Sequence, residues 1–110
     1  MDKDEIIAEL EEDLGEKIEE FFEGEVFRFK TEDGTEYEGC EDENVAERVA
    51  RESLEDYPED VLGLEGTALL YFDTDRFIDD YINSDGWQHT LCRYDGCNKE
   101  TKNGVVYWRA

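Results

Sequence analysis

The chain is poor in the residues and segments on which many enzymes and membrane proteins depend. It has one histidine, one proline and only 11 lysines and arginines among 110 residues. No apolar run approaches the ~20 residues that a membrane-spanning helix needs. The acidic start, residues 1 to 5, is the opposite of the basic region that opens a secretory or transit signal. We therefore expect a soluble protein of the cytoplasm.

Motifs for catalysis or cofactor binding are missing from the sequence. His89 has no serine or cysteine arrangement near it that would favour nucleophilic catalysis. There is no glycine-rich phosphate loop, and adjacent carboxylates such as Asp79 and Asp80 point apart on a helix. The sequence therefore predicts a protein that is not an enzyme and carries no cofactor.

The three cysteines permit two interpretations. An odd number in a chain without a secretory signal indicates reduced thiols rather than a disulfide framework. Cys92 and Cys97 follow His89 with the spacing His-x2-Cys-x4-Cys, and Cys40 could supply a fourth zinc ligand. That spacing is not the one of a standard zinc knuckle. Ordinary thiols without a bound metal are the preferred interpretation, and a structural zinc site is the alternative.

Negative charge dominates the composition. The chain contains 33 acidic residues, and its formal net charge is −22. Such a field repels DNA, RNA and anionic membranes, so we expect no direct nucleic-acid or membrane binding, and a basic protein as the partner. The net charge is −10 over residues 1 to 25, −10 over residues 26 to 66 and −2 over residues 67 to 110. One face of the molecule should carry most of the field.

The first segment has the spacing of a helix. One apolar stripe predicts an amphipathic helix over about residues 3 to 22 that ends at Gly24. Gly15, inside this segment, permits a bend. The residues of the stripe are Ile7, Leu10, Leu14, Ile18 and Phe21.

A hairpin and a second helix follow. Residues 26 to 30 and 35 to 38 flank Asp33-Gly34, which is a good hairpin signal. Residues 42 to 44 can cap a helix that continues until Tyr57-Pro58.

The remaining residues complete an α+β pattern. Residues 59 to 73 fit either a buried strand or a helical turn. Residues 73 to 75 can cap a third helix, which residues 83 to 86 close. A second hairpin is predicted from residues 87 to 94 and 105 to 109. We therefore expect a single α+β domain that spans all 110 residues, with about three helices and two β-hairpins.

An acidic face is the most unusual feature of the predicted first helix. Like charges at i+3 and i+4 destabilise a helix by about 0.2 to 0.5 kcal/mol per pair, so selection for stability alone would interleave lysine or arginine. The face opposite the apolar stripe consists of Glu5, Glu9, Glu12, Glu16, Glu19, Glu20 and Glu23.

The charge density of this face indicates a function for the mutually repelling carboxylates. A helix over residues 2 to 23 would place 11 acids along about 33 Å, or about one charge per 3 Å. Phosphates along one DNA strand are ~3.4 Å apart. The face therefore predicts a mimic of nucleic-acid charge that enters a basic groove of a partner. Further acids expected to contact the partner are Asp42, Glu43, Glu47, Asp73, Asp79 and Asp80.

Residues 71 to 110 resemble a known family. The stretch from Tyr71 to Tyr81, followed by Val105-Val106-Tyr107-Trp108, is similar to the C-terminal part of the ArdA antirestriction proteins. Those proteins have an aromatic-Asp start, a short helix with an aspartate further on, and a closing aromatic strand. In this comparison Asp73, Asp79 and Asp80 match acidic positions of the motif. The chain also resembles, in general style, small acidic phage proteins that mimic DNA, including anti-CRISPRs.

The resemblance implies an origin in a mobile element and charge mimicry, without indicating one target. Together with the acidic face, it predicts an inhibitor encoded by a phage or another mobile element. Such an inhibitor would act in the host cytoplasm and block the DNA or RNA site of a defence complex, either a CRISPR effector or a restriction enzyme. The alternative is a halophilic or regulatory protein-binding module without mimicry. The sequence leaves the target and the oligomeric state open.

Overall fold

The computed structural model describes residues 2–57 and 62–110. The described residues form one antiparallel sheet of five strands in the order β1-β2-β3-β5-β4. The fold is α+β as the sequence predicts, but the two separate hairpins are wrong, because all described strands join a single sheet. The elements are α1 (Lys3–Leu14), β1 (Ile18–Phe22), β2 (Phe27–Thr31), β3 (Glu36–Cys40), α2 (Glu43–Leu54), α3 (Thr67–Leu70), α4 (Thr74–Leu91), β4 (Lys99–Glu100) and β5 (Val106–Arg109).

Helices pack on both faces of the sheet. On the face that we call the α1 face, Ile6 and Leu10 of α1 pack with Phe27 and Phe29 of β2 and with Tyr107 of β5. On the other face, the α2–α4 face, Ala46, Ala50, Leu54, Ile78, Ile82 and Trp87 pack against Cys40, Val106 and Trp108. The alternation of side chains along β5 thus serves two cores, since neighbouring residues point to opposite faces.

The predicted helix over residues 3 to 22 is wrong beyond Leu14. Gly15 ends α1 in the left-handed conformation, with φ of 70°, which residues with a Cβ rarely adopt. The carboxylate of Glu11 then accepts a hydrogen bond from the backbone N–H of Ile18 at 2.9 Å, where β1 begins. The glycine noted as a possible bend is therefore the end of the helix.

A β-bulge explains why β1 has the spacing of a helix. The register of β1 against β2 shifts between Ile18 and Glu20, so that Ile18 pairs with Thr31 and Phe21 with Phe29. The extra residue places Ile18 and Phe21 on the same face although they are three positions apart. In a regular strand, residues three apart lie on opposite faces.

The predicted hairpin and second helix are confirmed. β2 and β3 pair across the turn at Asp33-Gly34, with Phe29 opposite Tyr37. Asp42 caps α2 by accepting the backbone N–H of Val45 at 2.8 Å. α2 ends at Leu54, before the Tyr57-Pro58 at which the sequence predicts its end. Pro58 and residues 59 to 61 of the ambiguous segment lie outside the described residues. In the described part of that segment α3 forms a single helical turn.

The second strand of the predicted C-terminal hairpin is present, but the first strand is not. Asp73 caps α4 as expected, accepting the backbone N–H of Arg76 at 3.1 Å. The first helical part of α4 closes at residues 83 to 86 as predicted, because Gly86 breaks it with φ of 78°, but helical structure then resumes through Leu91. The segment expected as a first strand is therefore helical, and β5 pairs with β4 instead.

The molecule is elongated. Its principal extents are 52 × 24 × 22 Å, and its radius of gyration is 16.3 Å. A compact chain of this length would have a radius of gyration of about 13 Å. No helix among the described residues combines the length and the apolar character needed to cross a bilayer.

Candidate functional site: an acidic surface

The acids of α1 divide into two groups. Glu9 is held by the loop between β4 and β5, where its carboxylate accepts the backbone N–H of Asn103 at 2.7 Å and the side-chain amide at 2.8 Å. These hydrogen bonds hold the pKa of Glu9 below its ordinary value. Glu5 and Glu12 are exposed, and their carboxylates form no hydrogen bond or ion pair with any residue that the structure describes. Together with the exposed Asp4, they are the negative α1 charges without a side-chain partner in the described structure.

Further acids with unpaired carboxylates lie on the edge of the sheet. Glu19 and Glu20 are in β1 and Glu23 directly follows it; all three are exposed. Within the described ranges their carboxylates form no hydrogen bond or ion pair. In the register of β1 against β2, Glu20 stands opposite Lys30.

The continuous acidic face expected from a long helix does not form. α1 has 12 residues, which corresponds to a length of about 18 Å rather than 33 Å. The remaining glutamates belong to the turn after α1, to β1 and to the loop beyond it. The structure thus distributes the predicted face over a helix on the α1 face and an edge of the sheet.

Glu16 and Asp33 form a carboxyl pair between two turns. The Asp33 carboxylate accepts the hydroxyl of Thr31 at 2.6 Å and the backbone N–H of Thr35 at 2.9 Å. These bonds lower the pKa of Asp33 to about 2. Partial burial, and then the charge of Asp33, raise the pKa of Glu16 above its ordinary value. Ionisation of Glu16 therefore costs more free energy in the folded protein than in the unfolded chain.

Replacement of Glu16 by glutamine should stabilise the protein at neutral pH. Folding raises the pKa of Glu16, so the folded state holds this proton more tightly than the unfolded chain, and stability is lost as the pH rises above the ordinary value of 4.5. Thermal unfolding should show a higher Tm for Glu16→Gln at pH ~7 and no difference near pH ~3, where both states are protonated. Glu65→Gln, in an exposed loop, controls for the overall loss of charge. A Glu16→Gln protein with a lower Tm than wild type at neutral pH would contradict this account.

Three of the predicted partner contacts serve the fold instead. Asp42 and Asp73 are the N-terminal caps of α2 and α4. Glu43 accepts a hydrogen bond from the indole N–H of Trp87 at 3.2 Å, which joins α2 to α4. These carboxylates are exposed, but each already has a partner inside the molecule.

The other predicted acids of α2 and α4 are paired with arginines. Arg51 lies between Glu47, at 3.3 Å, and Asp79 of α4. Asp80 approaches Arg76 at 4.0 Å. Consequently, the negative charge of the α2–α4 side is partly neutralised, whereas α1 and β1 keep theirs.

An uncovered part of the α2–α4 face is the feature that the sequence reasoning missed. Over β1 and β2 no described helix covers this face, and a groove of about 340 Å³ remains. It exposes Phe22, whose side chain is 62% accessible, together with Glu20, Arg28 and Lys30. The alternation of Arg28 and Lys30 with the buried Phe27 and Phe29 was the sequence signal for it.

The cysteines and the histidine do not assemble into a metal site. Cys40 and Cys92 are buried, and burial raises the pKa of both thiols to about 12. Cys97 is exposed, and His89 is exposed with its ring 5.7 Å from that of Tyr81. Within residues 2–57 and 62–110, no three His, Cys, Asp or Glu side chains are arranged to hold a metal ion. The structure therefore gives the zinc alternative no support.

Comparison of the chain with protein-family models, with curated proteins and with solved structures finds no match. The geometry and charge of the molecule are therefore the features that indicate its function.

Proposed function

We propose that this protein is an acidic inhibitor that occupies the nucleic-acid-binding groove of a host defence complex. The observation that carries the proposal is the charge per length of an elongated molecule. A net charge of −22 along an axis of 52 Å is, by division, one charge per 2.4 Å. DNA carries one charge per ~3.4 Å along a single strand and per ~1.7 Å along the duplex axis. The charge spacing of the protein lies between these two values, so the protein suits a basic groove that binds either single-stranded or double-stranded DNA.

The free glutamates support the same function. The carboxylates of Glu5, Glu12, Glu19, Glu20 and Glu23 form no ion pair with the described residues, although Glu20 faces Lys30 across the strands. Their contacts with lysines or arginines of a partner would break no bond within the protein. Repulsion among like charges, which costs folding energy in the free protein, would be relieved in the complex.

The resemblance of residues 71 to 110 to antirestriction proteins supports an origin in a phage or another mobile element. Within this segment Asp73 is a helix cap and Asp79 is bound to Arg51. We therefore place the main contact with the partner on α1 and β1 rather than on the matched segment. A CRISPR effector or a restriction enzyme in the host cytoplasm is the target class that we propose.

A regulatory protein-binding module without mimicry is the second candidate function. The groove over β1 and β2 favours it, because Arg28 and Lys30 lie there beside Glu20 and Glu36. A mimic of nucleic acid has no need of exposed cations. A purely halophilic surface is less well supported, since a net charge of −20 lies in the first 66 residues.

Salt dependence separates mimicry from the second candidate. The partner would be captured with the tagged protein from a nuclease-treated host lysate, and the affinity of the purified pair measured by calorimetry. Between about 50 mM and about 500 mM NaCl we expect the affinity to fall at least about 10-fold, because exposed charge contacts are screened. An affinity that is constant over this range would contradict mimicry and favour a module that binds through its groove.

A further inference from the structure

Apart from the N–H of Ile18, which is bonded to Glu11, the outer edge of β1 has no strand partner among the described residues. β1 is the first strand in the sheet order, and it pairs only with β2 among the described residues. At the opposite edge, β4 has only two residues. An unpaired edge offers backbone N–H and C=O groups to another extended chain. β1, with five residues, is the longer of the two edges.

The side chains beside this edge define what it can accept. On the uncovered α2–α4 face, Glu20 and Phe22 project from β1 next to the groove. Glu19 and Glu23 add two further exposed carboxylates within the same short stretch. An incoming strand would therefore lie beside the Glu20 carboxylate and, two positions further along the same face, the Phe22 ring.

A second copy of the protein is a poor occupant of the edge. Pairing of two β1 strands would bring the glutamates of both copies together, and like charges across strands are destabilising. Each copy also carries a net charge of −22. The charge of the edge instead complements a basic chain.

We propose that β1 binds an extended basic segment of the partner, which adds to the sheet as a sixth strand. The partner would place a lysine or arginine opposite Glu20 and an apolar residue opposite Phe22, on the same face of its strand. Backbone hydrogen bonds supply affinity in this mode, and alternate side chains supply specificity. The inference rests on the proposed function only in taking the partner to be basic.

A synthetic peptide of the repeat Lys-Thr-Val-Thr tests the edge directly, because its lysines and valines share one face. The ¹⁵N-labelled protein would be titrated with it, and amide shifts and hydrogen exchange recorded. We expect shifts at residues 18 to 22 and new protection of the β1 amides that face away from β2, Ile18 excepted, because its N–H is already bonded to Glu11. A peptide N-methylated at two adjacent central residues keeps its charge but cannot pair through either edge there, and it should bind about 10-fold more weakly.

Protein variants give a second measurement. Phe22→Ala and Glu20→Gln should each weaken binding of the unmodified peptide, whereas Glu100→Gln, which removes an acid from the opposite edge strand, should not. Equal binding of the two peptides, or shifts confined to α1 or α2, would overturn edge pairing while leaving charge mimicry intact. Absence of any binding at low salt would also overturn it. The partner's salt dependence tests the proposed function separately.

Discussion

The complex with the proposed basic partner should be strongly weakened when the five unpaired glutamates of α1, β1 and the following loop are changed to glutamine. Exposed ion pairs contribute about 0.2 to 1 kcal/mol each, so five of them contribute roughly 1 to 5 kcal/mol. This corresponds to a rise in Kd between about five-fold and several thousand-fold, measurable by calorimetry and by loss of inhibition. The residues are Glu5, Glu12, Glu19, Glu20 and Glu23.

A matched variant distinguishes position from total charge. It neutralises five other exposed acids whose carboxylates also lack a hydrogen bond or ion pair in the described structure: Glu55, Asp56, Glu65, Asp75 and Asp85. Both variants lose the same charge and should fold as well as wild type in low salt, because repulsion decreases. Equal losses of affinity would mean that only net charge matters. A wild-type protein that folds only in molar salt would instead favour the halophilic alternative.

The Gly39→Ala variant should lose about 1 to 3 kcal/mol of folding stability, as overpacked cores do. Gly39 lies in β3 between β2 and β5, opposite Phe27 on one side and Tyr107 on the other. A Cβ at this position would stand 2.6 Å from the ring of Phe27 and 2.6 Å from the backbone oxygen of Val106. The ring can turn, but the backbone oxygen belongs to the sheet. Urea unfolding followed by circular dichroism would measure the loss.

The exposed position Glu36 on the same strand provides the control. Glu36→Ala also introduces alanine into β3, but the side chain is exposed, and its effect should stay within about 0.5 kcal/mol. If Gly39→Ala were as stable as Glu36→Ala, the close packing of β3 between its neighbours would not be as the structure has it.

Local signals in the sequence predicted the parts of the fold that depend on neighbouring residues. Asp42 and Asp73 cap their helices, and Asp33-Gly34 forms its turn, because each needs only atoms a few positions away. The boundary between α1 and β1 depends on contacts far along the chain. Phe21 stacks on Phe27 with ring centroids 5.3 Å apart, and helical periodicity contains no information about that partner.

The candidate site was predictable in composition but not in arrangement. The bulge in β1 gives Ile18 and Phe21 the spacing of a helix, so the glutamates around them were assigned to a helical face. Gly86 had the opposite effect, since a helix stop was expected where the structure has a break followed by more helix. Which acids are free could not be deduced either, because the arginines of α2 pair with Glu25 and Asp79 from other elements.

The contact between the two tryptophans provides an intrinsic fluorescence probe of folding. Trp87 of α4 and Trp108 of β5 are 3% and 2% exposed, and their ring centroids lie 5.6 Å apart with the planes at 60°. The chain has no other tryptophan. Indole emission therefore reports whether α4 is seated on the sheet, and rings this close should also couple in near-ultraviolet circular dichroism. Both tryptophans are buried, so their fluorescence should change when the protein unfolds. Because they lie away from α1 and β1, it should stay unchanged when a partner binds at α1 or β1.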